Sequence, residues 1–470
     1  MQLKTNEIYC KCGLFGLYLS LKNTLKINYI TMTNRREFIK KSSILTAGVG
    51  VAASMPVAMG ACANDKVIRC GLIGAKSMGF SDLQAFLKQP NTECVAICDV
   101  DKRVLEGRIA DTEKLQPGKT PKAYSDYRQL IADKNVDVVI IGTPDHWHCL
   151  TLVEACKAGK DVYCEKPLGN TIEEINIMEK VAQKYKTVVQ VGQWQRSDPH
   201  WRDAVAFVNS GVLGKIRTVR TWAYQGWMEP VNVKPDGEAP EGVDYDFWLG
   251  PAPKRPFNPN RFHFNFRWFW DYAGGLMTDW GVHIIDYGLF GMNVKAPNSV
   301  MAMGGKFGYG ANDASETPDS MQVLFEYDDF TMLWDHGTGI NIGHFGRDHG
   351  VAFVGNNGTL VVDRQGWEVI PEKKNNKDLI ERVELQKGVG QGLNLHMANF
   401  LEGVRTRKRN LNCSIEIGAN TARVAHLGNI ALKTGQRLYW DHENSRFINN
   451  DEANSYLVPK YRSPWELPKI

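Results

Sequence analysis

Hydrophobic positions downstream of residue 66 fall into short runs, separated by segments in which apolar residues recur at helical spacing. The runs cover 67–73, 93–98, 136–141, 161–164 and 188–191. Strands that alternate with helices in this way are typical of a parallel sheet with helices on both faces. A capping box, Thr171 to Glu174, predicts the start of one of these helices. We therefore expect an α/β domain over residues 64–190.

The pattern changes after residue 191. Short alternating or apolar runs at 321–327, 330–336, 351–354 and 359–362 are joined by turns such as Asn357-Gly358, which predicts antiparallel strands. Helical spacing returns at 396–405 and at 414–433, and we expect the second of these helices to pack back on the first domain. Residues 191–470 are thus predicted to form an α+β domain.

The first 63 residues are predicted to be an upstream extension and an export signal. Asn34 to Lys40 contains paired arginines, and the uncharged apolar stretch 42–61 follows. Its glycine content and its position behind the arginines favour a signal for the twin-arginine export machinery over a membrane anchor. Met32 stands directly before the signal and is the expected true start. The expected location is the periplasm or the cell envelope.

Two ways of processing this signal remain open. Ala61-Cys62-Ala63 has the form of an ordinary signal-cleavage site, whereas Met59 to Cys62 resembles a lipobox that would attach a lipid anchor at Cys62. In either case the mature chain would begin near Cys62 or Asn64.

Composition describes an ordinary globular protein, with 43% hydrophobic and 23% charged residues and a net charge of +4 over 470 residues. Part of that charge belongs to the signal, so no basic stripe remains to indicate nucleic-acid binding. Seven cysteines follow the signal at positions 70, 94, 98, 149, 156, 164 and 413. Their apolar surroundings predict buried free thiols, which agrees with export of an already folded protein.

A glycine-rich turn follows the first strand. Gly74 and Gly79 occupy the first and third positions of a G-x-G-x-x-G pattern, but Lys76 replaces the middle glycine; Ser77 and Met78 complete the turn. Asp99 ends the second strand about 25 residues later, where a carboxylate binds ribose hydroxyls and repels a 2'-phosphate. NAD is therefore the expected cofactor, while Lys102 and Arg103 leave NADP open.

Lys166 and the pair Asp279 and His283 supply the groups that alcohol oxidation by a nicotinamide requires. A lysine ammonium polarises the hydroxyl oxygen, and a histidine near neutral pKa accepts the hydroxyl proton. Asp279 and His283 are four residues apart, so in a helix they would share one face and the carboxylate could orient the imidazole.

His146 and His148 follow Thr143-Pro144 at the end of a strand. No third ligand stands nearby in a characteristic spacing, so we expect no metal site and predict contacts with the nicotinamide half of the cofactor. Further along, aromatic residues are interleaved with polar ones around 193–227 and 267–272, a composition suited to carbohydrate. Arg196, Arg267 and Trp268 are the predicted substrate contacts.

The chain from about residue 66 onward resembles the glucose-fructose oxidoreductase/inositol dehydrogenase (Gfo/Idh/MocA) family. The resemblance is carried by the glycine turn, Thr143-Pro144 with His148, Glu165-Lys166-Pro167, Gly274-Gly275 and Asp279 with His283. It implies a Rossmann domain followed by a large open, mostly antiparallel sheet, often used for homo-oligomerisation. It also implies that Glu165 and Lys166 border the cofactor. Lys166 would lie between nicotinamide and substrate, His283 would be the acid/base, and Asp279 would bind substrate or support His283.

Three functional hypotheses follow. The first is an oxidoreductase acting on a sugar or glycoside with a tightly held nucleotide, since free NAD is expected to be scarce outside the cytoplasm. The second is a redox-assisted glycosidase or lyase, in which transient oxidation at C3 acidifies the C2 proton and allows elimination. The third is a noncatalytic sugar sensor, against which the combination of Lys166, Asp279 and His283 argues.

Overall fold

The computed structural model describes residues 66–470, which belong to one compact unit. The predicted twin-arginine signal, the start at Met32 and the lipid attachment at Cys62 lie outside the described residues.

The first sheet has six parallel strands. They are β1 (Ile68–Ile73), β2 (Thr92–Cys98), β3 (Lys122–Tyr124), β4 (Val138–Ile141), β5 (Asp161–Cys164) and β6 (Val189–Val191). Their order in the sheet is β3-β2-β1-β4-β5-β6, the doubly wound arrangement of dinucleotide-binding domains. The sequence pattern missed β3, because it has only three residues and two of them are exposed.

Five helices flank this sheet. They are α1 (Met78–Leu87), α2 (Lys102–Leu115), α3 (Tyr127–Ala132), α4 (His148–Lys157) and α5 (Ile172–Lys184). The predicted capping box at α5 is present: the Glu174 N–H donates to Thr171 Oγ1 and the Asn170 N–H donates to Glu174 Oε2. The start of α5 is therefore fixed by local sequence.

The second sheet is large and mostly antiparallel, as the family resemblance implied. Its strands are β7 (Ile216–Gln225), β8 (Ser299–Gly305), β9 (Ser320–Glu326), β10 (Thr331–Thr338), β11 (His349–Gly355), β12 (Gly358–Val362), β13 (Gly366–Pro371), β16 (Val383–Lys387), β17 (Leu438–Asp441) and β18 (Arg446–Phe447); β14 (Lys373–Lys374) and β15 (Lys377–Asp378) form a separate pair. The order is β16-β13-β12-β11-β7-β10-β9-β8-β17-β18, and only β7 and β10 pair in parallel.

Seven helices accompany the second sheet. They are α6 (Pro199–Asn209), α7 (Tyr245–Leu249), α8 (Gly275–Asp279), α9 (Gly281–Met292), α10 (Gly392–Thr406), α11 (Ile415–Thr434) and α12 (Asp451–Ser455). Helix α11 buries Ile415, Ala419 and Ala422 in the same core as β5 and β6. This confirms that the helix predicted at 414–433 packs on the first domain. The boundary at residue 190 stays a prediction.

All seven cysteines within residues 66–470 are buried and free, as predicted. Within residues 66–470 no helix combines the length and apolarity that a membrane crossing requires. The same residues contain no cluster of three or more His, Cys, Asp or Glu that could hold a metal ion.

Candidate active site

The turn between β1 and α1 is built for close approach of backbone to backbone. Gly74 has φ of 81°, a left-handed conformation that favours glycine. Its N–H donates to the Cys98 carbonyl at 2.9 Å. A Cβ atom on Gly79 would lie 2.1 Å from the Gly74 carbonyl oxygen and 3.2 Å from the Gly142 Cα atom. Gly79 therefore allows α1 to start directly against the ends of β1 and β4.

This turn forms one wall of an open cleft of ≈ 1050 Å³ at the carboxyl ends of the parallel strands. Most of the predicted cofactor residues line it: Gly74, Lys76, Ser77, Met78, Asp99, Thr143, Pro144, Glu165 and Lys166. Ligands of doubly wound sheets bind at this edge, outside the strand ends. The structure therefore brings together residues that are nearly a hundred positions apart in sequence.

Asp99 is held at the end of β2 by two backbone groups. Its Oδ2 atom accepts from the Ala75 N–H at 2.9 Å, and its Oδ1 atom accepts from the Asp101 N–H at 3.0 Å. Burial raises the pKa of Asp99, while these hydrogen bonds and Lys76 oppose the rise. A carboxylate fixed at this point fits the ribose of NAD and opposes a 2'-phosphate. The glycine turn and Asp99 together supply the close backbone approach and the carboxylate that binding of a dinucleotide requires.

His146 and His148 do not line the cleft. His148 is fully buried between the carbonyl oxygens of Thr143 and Pro167, at 2.9 and 2.7 Å. His146 is buried against Trp248, whose carbonyl lies 3.1 Å from His146 Nε2. Burial lowers the pKa of each imidazole to about 4, against the opposing effect of the backbone carbonyl contacts. The predicted cofactor contact is thus replaced by packing, and His148 joins the Thr143 loop to the turn that carries Lys166.

Lys166, Asp279 and Arg267 meet at the side of the cleft. The Lys166 ammonium donates to Asp279 Oδ1 at 2.6 Å and to the Asp279 carbonyl at 3.0 Å. Arg267 Nε donates to the same Oδ1 atom at 3.2 Å. All three residues line the cleft and are largely buried. Two cations therefore share one carboxylate. Site residues predicted in both domains meet at this point.

The ionised form of Asp279 is strongly favoured. Burial alone would raise the pKa of this carboxyl group, but the positive charges of Lys166 and Arg267 outweigh burial. The pKa of Asp279 is consequently well below its usual value. Asp279 stays a carboxylate at neutral pH and holds the Lys166 ammonium in one position.

His283 lies one helix further on. Helix α8 ends at Asp279 and α9 begins at Gly281, and Trp280 between them keeps a helical backbone conformation. No hydrogen bond joins Asp279 and His283 among the described residues, and His283 Nδ1 has no partner. The expectation that this carboxylate orients the imidazole is therefore not met, since its Oδ1 atom accepts from two cations instead.

The environment of His283 keeps its imidazole neutral. Burial comes first, and the positive charges of Lys166 and Arg364 add to it, so the pKa of His283 lies well below 6.5. Its ring lies 6.3 Å from Trp194 and 6.4 Å from Trp280, centroid to centroid. The imidazole is therefore unprotonated at neutral pH, and no described residue bonds to its Nδ1 atom.

Glu165 lines the cleft, and its carboxyl group has little hydrogen bonding. Its Oε1 atom has no hydrogen-bond partner, and its Oε2 atom accepts only from the Lys166 N–H at 3.3 Å. Burial raises the pKa of Glu165 to about 7, against the opposing charge of Lys166. A carboxyl group with a raised pKa thus lies directly beside the lysine.

Arg196 and Trp268, two of the predicted substrate contacts, are placed elsewhere. Arg196 is 8% exposed and its guanidinium is paired with Asp286 through bonds of 2.6 and 3.0 Å. Trp268 belongs to a buried aromatic cluster with Phe262, Phe266 and Tyr272. Only Arg267 among the three lines the cleft. The Arg196 side chain is instead paired with a carboxylate, and the Trp268 side chain is packed in the core.

Two residues of the site gave no sufficient signal in the sequence. Asp145 lines the cleft, and burial raises its pKa to about 8 although Arg267 and Lys166 lower it. In the sequence, the indication that Asp145 belongs to the site was its position directly after Thr143-Pro144. Arg364, whose charge acts on His283, lies about eighty residues from that histidine in a turn of the second sheet. No local pattern could have revealed that proximity.

Two family models match the chain. The Gfo/Idh/MocA model described as the NAD-binding Rossmann fold of an oxidoreductase family matches residues 68–193. The model described as the C-terminal alpha/beta domain of the same family matches residues 202–467. Between them they span both sheets of the molecule.

Curated relatives match over shorter stretches. The rhizopine catabolism protein MocA of Rhizobium meliloti is 31% identical over 151 residues, which is 32% of this chain and 45% of that protein. A glycosyl hydrolase family 109 protein of Shewanella putrefaciens is 32% identical over 162 residues, which is 30% of this chain and 35% of that protein. The matches therefore span less than two thirds of these relatives' length.

Solved structures resemble the chain over most of its length. A levoglucosan dehydrogenase in complex with NADH and levoglucosan is 18% identical, with 79% of this chain and 99% of that chain covered and a TM-score of 0.60. A scyllo-inositol dehydrogenase from Lactobacillus casei with NAD(H) and scyllo-inositol is 17% identical, with 80% and 99% covered and a TM-score of 0.58. These likenesses show the fold. With both domains matched by its models, this chain belongs to the Gfo/Idh/MocA oxidoreductase family, and its residues 68–193 form an NAD-binding Rossmann domain.

Proposed function

We propose that this protein is an NAD-dependent oxidoreductase that moves hydride between its nicotinamide cofactor and a hydroxyl-bearing carbon of a sugar or glycoside. The observation that carries the proposal is the contact of Lys166 with Asp279 in the wall of the dinucleotide cleft, with the neutral imidazole of His283 in the following helix. When bound, NAD supplies the hydride acceptor.

Each residue of the site has its own role in the reaction. The Lys166 ammonium, held by Asp279, donates to the substrate oxygen and stabilises the negative charge that develops there. His283, neutral because of its surroundings, accepts the hydroxyl proton. In the reverse direction the protonated imidazole returns that proton to the ketone oxygen. Arg267 fixes Asp279 from the second side and keeps the carboxylate from rotating.

A carbohydrate substrate is supported by two independent considerations. Family members of the same fold include enzymes whose names specify levoglucosan and inositol as substrates. Beside the cleft, half-buried Trp194 and Trp280 flank His283, and exposed Trp227 lies 6.0 Å from the Phe264 ring that lines the cleft. Sugars stack their C–H faces on such rings.

We propose further that the nucleotide is held tightly and recycled within the site. The paired arginines at 35–36 and the apolar stretch after them support export by the twin-arginine route to the cell envelope. A cofactor that cannot be exchanged there must be returned to its starting state by the same substrate or by a second one.

A second candidate is a redox-assisted glycosidase or lyase. The relative of glycosyl hydrolase family 109, at 32% identity over 162 residues, favours it. In that reaction, oxidation of a ring hydroxyl at C3 acidifies the proton on C2, elimination releases the aglycone, and return of the hydride leaves the nucleotide unchanged.

One experiment separates these functions. The chain from Asn64 onward is purified, its nucleotide is identified by mass spectrometry, and nicotinamide absorbance is followed during addition of aryl and methyl glycosides. Accumulation of reduced nucleotide with a ketosugar supports the oxidoreductase. Release of aglycone without net reduction supports the glycosidase. Bound nucleotide that no glycoside alters, together with glycoside binding, would refute both and leave a sensor.

A further inference from the structure

Arg364 makes no direct ion pair among residues 66–470, although the charges of Asp279 and Asp348 act on it. It lies in the turn between β12 and β13, half-buried, and its side chain makes no hydrogen bond or ion pair with any residue of the described 66–470 segment. Its guanidinium carbon is 4.5 Å from the Trp280 ring centroid and 5.0 Å from that of Trp194. Two indole faces therefore hold the charge in place and leave its donors free.

Other buried arginines in the molecule are paired with carboxylates. Arg196 is bonded twice to Asp286, and Arg347 lies 3.0 Å from Asp363. Asp363 is the direct neighbour of Arg364 in sequence, yet its carboxylate faces Arg347. Burial lowers the pKa of Arg364, and the negative charges of Asp279 and Asp348 only partly oppose this effect. A guanidinium in this state gains strongly from an incoming anion.

The turn that carries Arg364 is braced. Asp363 is buried, and its Oδ1 atom accepts from the Gln365 and Gly366 N–H groups at 2.8 and 3.1 Å. Its carbonyl lies 2.9 Å from His200 Nε2. Because the backbone on either side is fixed in this way, Arg364 needs little reorganisation to bind a ligand.

Two buried imidazoles with free nitrogens lie near the same spot. His349 is 6% exposed; its Nδ1 lies 2.7 Å from Asp348 Oδ1, and its Nε2 has no partner. Its ring is 5.1 Å from Trp280, which is also close to His283. Since Nδ1 donates to Asp348, the free His349 Nε2 is an acceptor for a hydroxyl. One cation, one hydroxyl acceptor and the free Nδ1 of His283 thus surround Trp280.

We propose that Arg364 binds a carboxylate of the substrate, so that the preferred substrates are acidic sugars of the uronic acid class. The proposal rests on the proposed oxidoreductase function. A planar carboxylate matches the fork of a guanidinium. The Trp194 and Trp280 rings hold the guanidinium in position for that carboxylate, and the free His349 Nε2 atom accepts from one of the sugar hydroxyls. His283 then faces the hydroxyl to be oxidised.

The test uses the nucleotide-loaded chain and matched pairs of substrates: methyl glycosides of glucose, galactose and mannose, and the corresponding methyl glycuronosides. The wild type is expected to have a lower KM for a glycuronoside than for its neutral partner. In Arg364→Met that preference falls by roughly 10- to 100-fold, the range for hydrogen bonds to a charged group. Arg364→Lys retains part of the preference. Arg382→Met, at an exposed arginine, keeps it whole.

Failure of this inference is distinguishable from failure of the proposed function. Preference for neutral glycosides in the wild type, or equal effects of Arg364→Met on both members of a pair, would overturn it. If no sugar reduces the nucleotide, calorimetric binding decides: glycuronosides that bind the wild type but not Arg364→Met support the anion site without the oxidoreductase. Absence of glycuronoside binding to the wild type overturns the anion site. Arg364→Lys and thermal melts separate a folding defect from a binding defect.

Discussion

The Lys166 ammonium donates to the Asp279 carboxylate at 2.6 Å across 113 positions of sequence. The lysine follows the last residues of β5 in the first domain, whereas the aspartate ends α8 in the second. The contact therefore joins the two halves of the protein at the cleft. It also sets where the lysine charge lies, because Asp279 is itself held by Arg267.

Replacement of Lys166 by Met should abolish hydride transfer while leaving nucleotide bound. The change removes the donor to the substrate oxygen, and loss of such a group lowers kcat by about 10²- to 10⁴-fold. Single-turnover absorbance and the nucleotide content of the purified protein measure the two effects. Lys180→Met, at an exposed position of α5, is the control and should be fully active. Full activity of Lys166→Met would show that the assignment is wrong.

The pH dependence of kcat should reflect the depressed pKa of His283. Burial, Lys166 and Arg364 lower this pKa, so the imidazole remains a base at pH values where an ordinary histidine, with a pKa of about 6.5, is already protonated. Activity should therefore persist below pH 6.5 and fall only in more acidic buffer. His283→Gln should lose activity by about 10²- to 10⁴-fold and lose this acid limb. His442→Gln, which is exposed, should leave the profile unchanged. An acid limb at or above that ordinary value would contradict the role.

Gly79→Ala should damage the cofactor turn. The added Cβ would lie 2.1 Å from the Gly74 carbonyl oxygen, so α1 would have to move away from β1. We expect a lower melting temperature and loss of copurifying nucleotide. Gly107 offers a matched control in α2, because nothing lies within 4 Å of its added Cβ. Gly107→Ala should stabilise the protein by about 0.5 to 1 kcal/mol, the helix preference of alanine over glycine. Equal behaviour of the two variants would refute the steric argument.

Arg196→Met should destabilise the fold instead of weakening substrate binding. The change leaves the Asp286 carboxylate buried with only Thr421 Oγ1, 2.7 Å away, as a side-chain donor. Breaking a buried pair in this way costs about 3 to 5 kcal/mol. Urea unfolding measures the loss, with Arg409→Met at an exposed position as the control. Unchanged stability combined with a raised KM for sugar would instead restore Arg196 as a substrate contact.

Local patterns predicted much of the first domain because its strands are short apolar runs with clear helical segments between them. They also predicted the Thr171 capping box, which depends on residues three positions apart. The same reasoning missed β3, since its three residues are too few and too exposed to show a pattern. The four-residue spacing of Asp279 and His283 was a weaker guide, because the Asp279 carboxylate accepts from Lys166 and Arg267 instead of from the imidazole.

The sequence by itself determined the alternation of strands and helices, the glycine turn and Asp99, because each depends on neighbours within one element or one turn. Side-chain chemistry and spacing pointed to Lys166, Asp279 and His283, and the family resemblance implied a role for each. Only the tertiary structure decided that Arg196 forms an ion pair with Asp286. It likewise decided that Arg267 and Lys166 bind the same Asp279 carboxylate. It also placed Arg364 near His283 without an ion pair among the described residues. These relationships depend on charges brought together from distant strands and helices, and burial makes each pairing or lack of pairing energetically important.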